Sequence, residues 1–344
     1  MTAHPSGVPP LAAPLHTPRS TAIAQASAHH RSRVIEETDV ATIPRDGLRA
    51  SASPPRRRSR SPSRRATRDD ALPMLALPFR VGERYVATRV LGKGGMAVVV
   101  EALDRQTQAR VALKMARSDV ALSAWSTRKA IRNELAILER LDTDAVCRLV
   151  GSGEDPALGP YIALRRMWGR TLFERQARTM WDADHVSGWL VSLLTALSEV
   201  HAARVVHGDI KPSNVLVCPL PTGARRIVLF DFGLANCSEL WQTMVSGLHM
   251  GTPGYFAPER LQGIVDARSD LFSVAATTLW CLGLAGDDHR RATPVSAQRY
   301  LRTMGVDQPT AGVIVACLDP DYRQRPRSCA EAIAALPSIT GAAL

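Results

Sequence analysis

The sequence predicts a bilobal α+β fold, and two observations on the spacing of its apolar residues lead to this prediction. Between residues 80 and 167 the apolar residues occur in short strand-like runs, two of which flank a glycine-rich turn. After about residue 168 they recur mainly with helical spacing, and Leu271 to Leu282 is almost continuously apolar, as in a buried helix. A strand-rich part followed by a helical part indicates two lobes. We therefore expect a small lobe at 80–167, with an antiparallel sheet and one helix, and a larger, mainly helical lobe at 168–337.

The segments that flank this region differ from it in composition. Residues 1–79 are rich in Pro, Ser, Ala, Thr and Arg and show no sustained periodicity, so we expect a disordered extension. Of the formal net charge of +11, residues 1–80 contribute +7, from 13 Arg against 6 Asp and Glu. The whole chain of 344 residues is nevertheless 45% hydrophobic, with a mean hydropathy of −0.07, which is enough for a sizeable core. Residues 338–344 form a short tail.

Arginine is concentrated in one run of the extension, Arg56–Arg65. A run of this kind can bind nucleic acid, an acidic surface or anionic lipid. No aromatic residue lies between the arginines to stack on bases, so we do not expect nucleic-acid binding. Charge runs are usually solvated, and we interpret this one as a solvated tail.

Several classes of protein are excluded by patterns that the chain lacks. No apolar run approaches eighteen residues, so we expect no membrane span. The first thirty residues contain no apolar core of a Sec signal peptide, and the six cysteines form no C-x-x-C pair, as a zinc site or disulfide scaffold would require. We expect a cytoplasmic protein. The alternative is a secreted effector delivered into a host cell, because the Ser/Pro-rich extension resembles the leaders of proteins exported by bacterial contact-dependent secretion.

The elements of the small lobe can be predicted in order. We expect strands at Tyr85–Leu91, Ala97–Ala102 and Arg110–Met115, a helix at Arg128–Leu141 and a further strand at Tyr161–Leu164. Glycines in the turn between the first two strands would let backbone N–H groups close over a polyphosphate. A strand rather than a helix follows the turn, which excludes a Rossmann site, and the Walker A pattern is absent. An ordinary glycine hairpin is the alternative.

Lys114 lies in the apolar third strand, and it is one of only four lysines among 43 basic residues. A lone lysine in a strand is usually an edge or surface residue. Because this strand should be buried, we expect an anionic partner for it, and Glu134 in the following helix is the natural candidate.

The strongest chemical signal comes after the predicted helix at Val186–Ala203. A loop between apolar flanks carries Asp209, Lys211 and Asn214, which can present a base, a cation and a metal ligand to one point. A predicted strand at Ile227–Phe230 then leads into Asp231, a second carboxylate for Mg²⁺. Two oxygen ligands on adjacent loops fit a magnesium–nucleotide site better than an all-protein calcium cage.

With these segments in order, residues 80–337 resemble the eukaryotic-type (Hanks-type) serine/threonine protein kinase domain and are most similar to its bacterial members. The resemblance rests on these segments in order: the glycine loop Leu91–Val99, Val111–Lys114, Glu134, His207–Asn214, Asp231–Gly233, Gly251–Glu259, Asp266–Ser273 and Arg325-Pro326.

This resemblance implies a role for each matching residue. Lys114 would hold the α- and β-phosphates of ATP and pair with Glu134. Asp209 would accept the proton of the substrate hydroxyl and Lys211 would neutralise the γ-phosphate, while Asn214 and Asp231 would hold Mg²⁺. The remaining residues of the implied ATP site are Leu91, Gly92, Lys93, Gly94, Gly95, Val99, Ala112, Arg165 and Met167.

Further residues would have structural or recognition roles. Glu259 and Arg325 would form a buried ion pair of the large lobe, and Asp270 would brace the catalytic loop. Pro212 after Lys211, with Thr252 in the substrate-facing loop, favours Ser or Thr over Tyr as the acceptor. The implied partners are protein substrates with Ser or Thr acceptors, including the tail itself at Ser59, Ser61 and Ser63.

The chain also departs from the family pattern. Gly208 stands where the family has an arginine that meets a phosphorylated activation loop, which predicts activity without that phosphorylation. His-Gly-Asp is also found in aminoglycoside and choline phosphotransferases, so a small-molecule kinase is one alternative and a pseudokinase scaffold is another. Arg165 and Arg166 replace the usual acidic and aromatic residues. Residues 218–226 lengthen the spacing between Asn214 and Asp231, and we expect an extended hairpin at the surface.

Overall fold

The computed structural model describes residues 77–117, 124–176, 182–237, 251–284 and 292–338. All of them lie within a single compact unit. The predictions for residues 1–76 and 339–344 lie outside the described residues, and so do Ser238, Thr243 and Ser246, three hydroxyl residues between Gly233 and Gly251. The boundary between extension and folded domain at residue 80 stays a prediction.

A six-stranded antiparallel sheet forms the small lobe, with the strand order β1-β2-β3-β4-β6-β5. The strands are β1 (Phe79–Val81), β2 (Tyr85–Lys93), β3 (Ala97–Asp104), β4 (Arg110–Ala116), β5 (Leu149–Asp155) and β6 (Gly159–Arg165). All four strands predicted in this region are present, each slightly longer than predicted. The spacing signal ends with the last periodic apolar residue, whereas ladder hydrogen bonds continue beyond it.

The two faces of this sheet carry different side chains, because successive side chains along a strand point to opposite sides. Val100, Leu113 and Tyr161 lie on one face and form a small core of their own, with Tyr161 packed edge-on against Tyr85. On the other face, Val99 lies opposite Lys114 in the ladder between β3 and β4. The register therefore places the lysine on the face that is turned toward the helix of this lobe.

That helix, α1 (Ala124–Leu138), packs on β4 and β6. It ends three residues before the predicted end at Leu141, although Leu141 is buried. Apolar spacing predicted burial correctly there but not helical backbone, because a turn after the helix can also direct a leucine into the core. Ile131 and Leu138 anchor the helix, and Glu134 between them is only 1% exposed.

The large lobe is mainly helical and contains the principal hydrophobic core. Its helices are α2 (Leu172–Gln176), α3 (Val186–Ala202), α4 (Ala267–Cys281), α5 (Pro294–Thr303), α6 (Gln308–Cys317) and α7 (Cys329–Ala334). Helix α4 is buried along most of its length, as its nearly continuous apolar sequence predicts, and Asp266 caps its first turn by accepting from the Arg268 N–H.

Short strands position the loops that carry the chemistry. Two of them, β8 (Val205–Val206) and β11 (Asn236–Cys237), pair with each other, and β7 (Arg170–Thr171) pairs with β9 (Val215–Pro219). Strand β9 also pairs with β10 (Arg225–Leu229). The loop from β8 to β9 and the loop from β10 to β11 are therefore held side by side.

The hairpin between β9 and β10 is the extended one predicted at residues 218–226. Its tip, Pro221 to Gly223, is exposed as expected. Cys218 is buried, which corrects the prediction that the whole hairpin lies at the surface. Its thiol lies beside Gly169, where an added Cβ would be 2.9 Å from the Cys218 Sγ. All six cysteines of the chain are free.

Candidate active site

Lys114 links three elements of the site. Its Nζ lies 2.5 Å from a carboxylate oxygen of Glu134 on α1 and 2.7 Å from Oδ1 of Asp231 in the loop after β10. The predicted pair of Lys114 and Glu134 is therefore present. Glu134 also accepts the N–H of Phe232 at 3.2 Å, so one carboxylate holds both the lysine and the backbone beside Asp231.

Burial and charge act against each other in this cluster. Burial alone would lower the pKa of Lys114, but Glu134 and Asp231 raise it above its usual range, so the ammonium is always charged. Burial, together with the nearby charge of Asp231, raises the pKa of Glu134 although Lys114 acts to lower it. For Asp231 the balance is reversed, since the nearby Lys114 lowers its pKa despite burial. Asp231 is thus a carboxylate anion, with 41% of its side chain exposed.

The carboxylate of Asp209 is held by four donors. Oδ1 accepts the Thr252 N–H at 3.1 Å and the Thr252 hydroxyl at 2.8 Å. Oδ2 accepts from Nζ of Lys211 at 2.6 Å and from the Asn214 amide at 3.0 Å. The carboxylate is therefore fixed in orientation, at a point where a lysine and a hydroxyl meet.

Asn214 and Asp231 fit the chemistry of a divalent cation. The amide NH₂ of Asn214 is used on the carbonyl and carboxylate of Asp209, which leaves its carbonyl oxygen as a possible ligand. Asp231 contributes a partly exposed carboxylate. Among the described residues no group of three His, Cys, Asp or Glu side chains could hold a metal ion. A cation here would need further oxygen ligands, and the phosphates of a nucleotide supply that type of ligand.

The glycine turn between β2 and β3 leaves room for phosphates. A Cβ built on Gly92 or Gly95 would meet no atom within 4 Å, and one on Gly94 would meet only the Ala97 carbonyl, at 3.5 Å. The turn is closed by the Gly94 N–H, which donates to that same carbonyl at 2.8 Å. The turn therefore has open space at the place where the sequence predicts a polyphosphate.

The remaining residues of the implied ATP site follow the same face of the sheet. Val99 and Ala112 share the face of Lys114, and Ala112 lies opposite Leu164 in the ladder between β4 and β6. Leu91, Val99, Ala112 and Met167 are all half-buried. Lys93 continues strand β2 and is exposed.

Arg165 ends strand β6 and Arg166 follows it, where the chain passes from the small lobe to the large lobe (the hinge). Both have partners that the sequence did not predict. The Arg165 N–H donates to the Arg148 carbonyl at 2.8 Å, so this group is not available to an adenine ring. The Arg166 guanidinium binds Glu101 of β3 at 3.2 Å and also contacts the Met167 carbonyl. Adenine contacts would have to come from the other backbone groups of the hinge.

Asp270 braces the loop between β8 and β9, which carries Asp209, as predicted. It is fully buried and accepts the N–H groups of His207 and Gly208, each at 2.8 Å. A third partner, Nε2 of His201 at the end of α3, lies 2.9 Å away. No sequence signal indicated His201, because it has the appearance of any histidine at a helix C-terminus.

The contact between His201 and Asp270 predicts how stability depends on pH. Burial alone would lower the pKa of His201, but Asp270 and Cys329 raise it to about 10. The charged pair then stabilises the fold fully below pH 6.5, and this contribution is lost as pH rises through about 10. We expect the difference in unfolding free energy between wild type and His201→Gln, measured by urea denaturation, to shrink by a few kcal/mol across that window. A constant difference would show that the histidine does not titrate there.

A second buried ion pair lies below the site. The guanidinium of Arg325 binds both oxygens of Glu259, at 2.7 and 2.8 Å, as the sequence predicts. Ser269 also donates to Glu259, at 2.6 Å. The pair ties the segment after Thr252 to the end of the large lobe.

The comparisons with known proteins agree with this geometry. A family model described as the protein kinase domain matches residues 85–285, more than half of the chain. The chain belongs to the protein kinase domain family. Among solved structures, the kinase domain of Mycobacterium tuberculosis PknI has a TM-score of 0.59 at 24% identity, covering 76% of this chain and 98% of that chain. At this identity the likeness shows the fold, and the predicted bilobal kinase fold is confirmed.

Curated relatives of this kinase domain come from bacteria and from mammals. The probable serine/threonine-protein kinase SCO3848 of Streptomyces coelicolor is 35% identical over 266 residues, and the probable serine/threonine-protein kinase PknB of Corynebacterium glutamicum is 31% identical over 205 residues. The rat serine/threonine-protein kinase DCLK1 is 33% identical over 187 residues. The alignments cover 72%, 57% and 53% of this chain, but only 38%, 31% and 41% of those relatives.

Proposed function

We propose that this chain is an ATP-dependent serine/threonine protein kinase, which transfers the γ-phosphoryl group of Mg²⁺–ATP to Ser or Thr hydroxyls of proteins. The observation that carries the proposal is the pairing of the site residues: Lys114 binds Asp231, Asp209 binds Lys211 and Asn214, and Lys211 is close enough to Asp231 to lower its pKa. Family membership and the names of the relatives support the same activity.

In this proposal each residue of the chain has a physical task. Mg²⁺–ATP supplies the phosphoryl group, and its cation would be held by Asn214 and Asp231. Lys114 orients the α- and β-phosphates, and Glu134 fixes the lysine in place. Asp209 orients the acceptor hydroxyl and takes its proton, while Lys211 stabilises charge on the γ-phosphate. Catalysis by such a site rests mainly on positioning and on fixed charges.

The segment from Gly251 to Glu259 favours a protein acceptor over a small molecule. Thr252 binds Asp209 through both its N–H and its hydroxyl, and Lys211 donates to that hydroxyl at 2.7 Å. A substrate hydroxyl would have to approach Asp209 beside this segment, so the segment forms part of the acceptor site. A pseudokinase is disfavoured because the complete set of charged residues is present and correctly paired.

The test is phosphoryl transfer from γ-labelled ATP with Mg²⁺. The chain would be offered a generic basic protein and, in separate reactions, an aminoglycoside and choline. We expect label on Ser or Thr of the protein acceptor and none on the small molecules. Label on a small molecule alone would turn the assignment to the His-Gly-Asp phosphotransferases, and ATP binding without transfer would indicate a scaffold. The same reactions would show whether Ser59, Ser61 and Ser63 are phosphorylated.

We further propose that the kinase activity does not depend on phosphorylation of the activation segment, by which we mean the chain between Gly233 and Gly251 that contains Ser238, Thr243 and Ser246. Gly208 adopts a left-handed backbone conformation with φ of +76°, and a Cβ there would lie 2.7 Å from the Leu234 carbonyl. The same Cβ would lie 3.1 Å from the guanidinium of Arg260, a residue only 7% exposed. A buried guanidinium thus already occupies the space next to Gly208, with Asp209 and Asp270 close enough to act on its charge.

This proposal predicts that the kinase stays active when the activation segment has lost the hydroxyl groups of Ser238, Thr243 and Ser246. The triple variant Ser238→Ala, Thr243→Ala, Ser246→Ala should keep most of the wild-type activity toward the basic protein, because no arginine stands at position 208 to need a phosphate, and the carboxylates of Asp270, Glu259 and Asp209 already act on the Arg260 guanidinium. Initial rates with purified protein measure this, and phosphatase-treated wild type is the control. Loss of activity in both samples would contradict the proposal.

The domain boundaries and the cellular location of the chain are part of the same proposal. Residues 80–337 would form the kinase domain, preceded by the extension at 1–79 and followed by a short tail. The chain would act in the cytoplasm, with a secreted effector as the alternative. No helix among the described residues is long and apolar enough to cross a bilayer.

A further inference from the structure

A pocket of about 210 Å³ lies against the hinge. Its walls come from the hinge (Arg165 to Trp168), from the chain that leads into β5 and from the β9–β10 hairpin. None of the side chains of Lys114, Asp209 or Asp231 lines it. The pocket shares only the hinge, with Arg165 and Met167, with the implied ATP site, and the proposed phosphoryl transfer gives the rest of its lining no role.

Apolar side chains form part of the inner surface of the pocket. Val146, Cys218 and Leu220 contribute to its lining, and Cys218 is buried. Trp168 forms part of the wall with 62% of its surface exposed, although indole rings are usually well covered. The volume lies below the roughly 300–1,000 Å³ of pockets for drug-sized ligands. It suits one apolar side chain better than a cofactor.

The rim of the pocket is basic. Four arginines line it against a single carboxylate, Asp144. That carboxylate is shared by Arg148 and Arg226, each at 3.1 Å, so it cannot neutralise both. Arg148 has one further acidic neighbour, Asp142, at 3.5 Å and almost wholly exposed.

The two hinge arginines add to this excess of positive charge. Arg166 binds Glu101, but that carboxylate also binds Arg89 and Arg110, so three guanidinium groups share it. Arg165 is exposed and forms no ion pair with any residue that the structure describes. Asp144 and Glu101 are each shared by more than one arginine, and the surface retains a net positive charge.

We propose that this hinge pocket binds an acidic segment of a partner protein, with one apolar side chain in the pocket and flanking carboxylates on the arginines. Arginine forks bind carboxylates in a bidentate manner, and a fixed aromatic ring next to them provides contact area at little entropic cost. The Arg166 guanidinium stacks on the Trp168 ring at 4.7 Å and so holds this exposed ring beside the pocket. An apolar floor inside a positive rim is complementary to a peptide of this composition.

On the proposed kinase function, such a site would recruit protein substrates whose acceptor Ser or Thr lies elsewhere in their sequence. An acidic docking segment would raise the local concentration of the acceptor at the cleft without touching Asp209. Peptide binding itself does not depend on catalysis, so the two ideas can fail separately.

Binding can be measured with the full chain and a short fluorescent peptide in which glutamates flank one leucine. The matched control peptide has glutamine in place of every glutamate. We expect saturable binding of the acidic peptide and binding about tenfold weaker for the control, a difference of about 1.4 kcal/mol. Equal binding of the two peptides, or displacement of the acidic one by inorganic phosphate or an oligonucleotide at equal concentration, would overturn the proposal.

Two double variants locate the binding. Arg148→Gln with Arg226→Gln removes two charges at the pocket, and Arg299→Gln with Arg302→Gln removes two exposed charges on α5, outside the pocket lining. We expect only the pocket variant to weaken peptide binding, by about tenfold. Equal weakening by both variants would mean non-specific attraction to a basic protein, and would sink the proposal.

A kinetic measurement separates recruitment from catalysis. A basic protein substrate is compared with the same protein fused to the acidic segment. We expect the fusion to lower KM with little change in kcat, and the pocket variant to remove this advantage while it still phosphorylates the unfused substrate. No phosphorylation of either substrate would count against the proposed function and leave the binding result intact. Equal KM values for the two substrates would overturn recruitment.

Discussion

Replacement of Asp209 by Asn is expected to lower kcat for protein phosphorylation by about three orders of magnitude, within the range of about 10²–10⁴ attributed to a positioned acid–base group. The amide removes the base, and it also disturbs the network around it. In the wild type, each carboxylate oxygen of Asp209 accepts hydrogen bonds. Oδ1 accepts from Thr252, and Oδ2 accepts from Lys211 and Asn214. Whichever way the substituted amide turned, its NH₂ would face one of these donors.

The measurement is kcat and the KM for ATP with the basic protein as acceptor. The KM for ATP should change little, because the proposed phosphate contacts are made by Lys114 and the glycine turn. Asp184→Asn makes the same chemical change on an exposed side chain before α3 and should match wild type. Activity of Asp209→Asn within about tenfold of wild type would contradict the assigned role. A melting temperature far below wild type would call for Asp209→Glu as a second variant.

Replacement of Arg325 by Met is expected to cost about 3–5 kcal/mol of unfolding free energy, the largest effect on stability that we predict. Its guanidinium is completely buried and donates twice to Glu259, once to the Arg268 carbonyl and once to the Asp319 carbonyl. Burial alone would raise the pKa of Glu259, but Arg325 and Ser269 lower it below its usual range. Without Arg325, a buried carboxylate must either stay charged without its cation or take up a proton.

Denaturation in urea, followed by circular dichroism, measures this cost. Arg323→Met, two residues earlier and exposed, removes the same charge and should change stability by no more than about 0.5 kcal/mol. A double variant, Glu259→Gln with Arg325→Met, should recover part of the loss because no buried charge is left unpaired. Equal stability of the Arg325 and Arg323 variants would show that the buried pair contributes little.

Local sequence was enough to predict most elements and the identity of the chemical groups. Strands β2, β3 and β4 and helix α3 lie where apolar spacing places them, because burial of one face is what that spacing records. Lys114 and Glu134 could be paired in advance since a lysine in a buried strand requires an anion. The end of α1 was less accurate, because a residue can be buried from a turn as well as from a helix.

Contacts between distant segments were not predictable in the same way. Arg166 contacts Glu101, 65 residues away, and His201 contacts Asp270, 69 residues away. Arg260 fills the space beside Gly208 although 52 positions separate them. In each case the residue types are ordinary for their local setting, and nothing in their spacing distinguishes them from solvated side chains.

The family, the elements that carry the candidate site and the charged groups within it follow from local sequence. Ordered motifs record which side chains a strand, loop or helix presents, and those are local properties of the chain. Contacts between elements were needed to find that Asp209 is held by Thr252, that the Asn214 amide NH₂ donates to Asp209, and that four arginines line one pocket at the hinge. The physical reason is that these features depend on distances between elements, which are set by the packing of both lobes around their cores and not by any one segment.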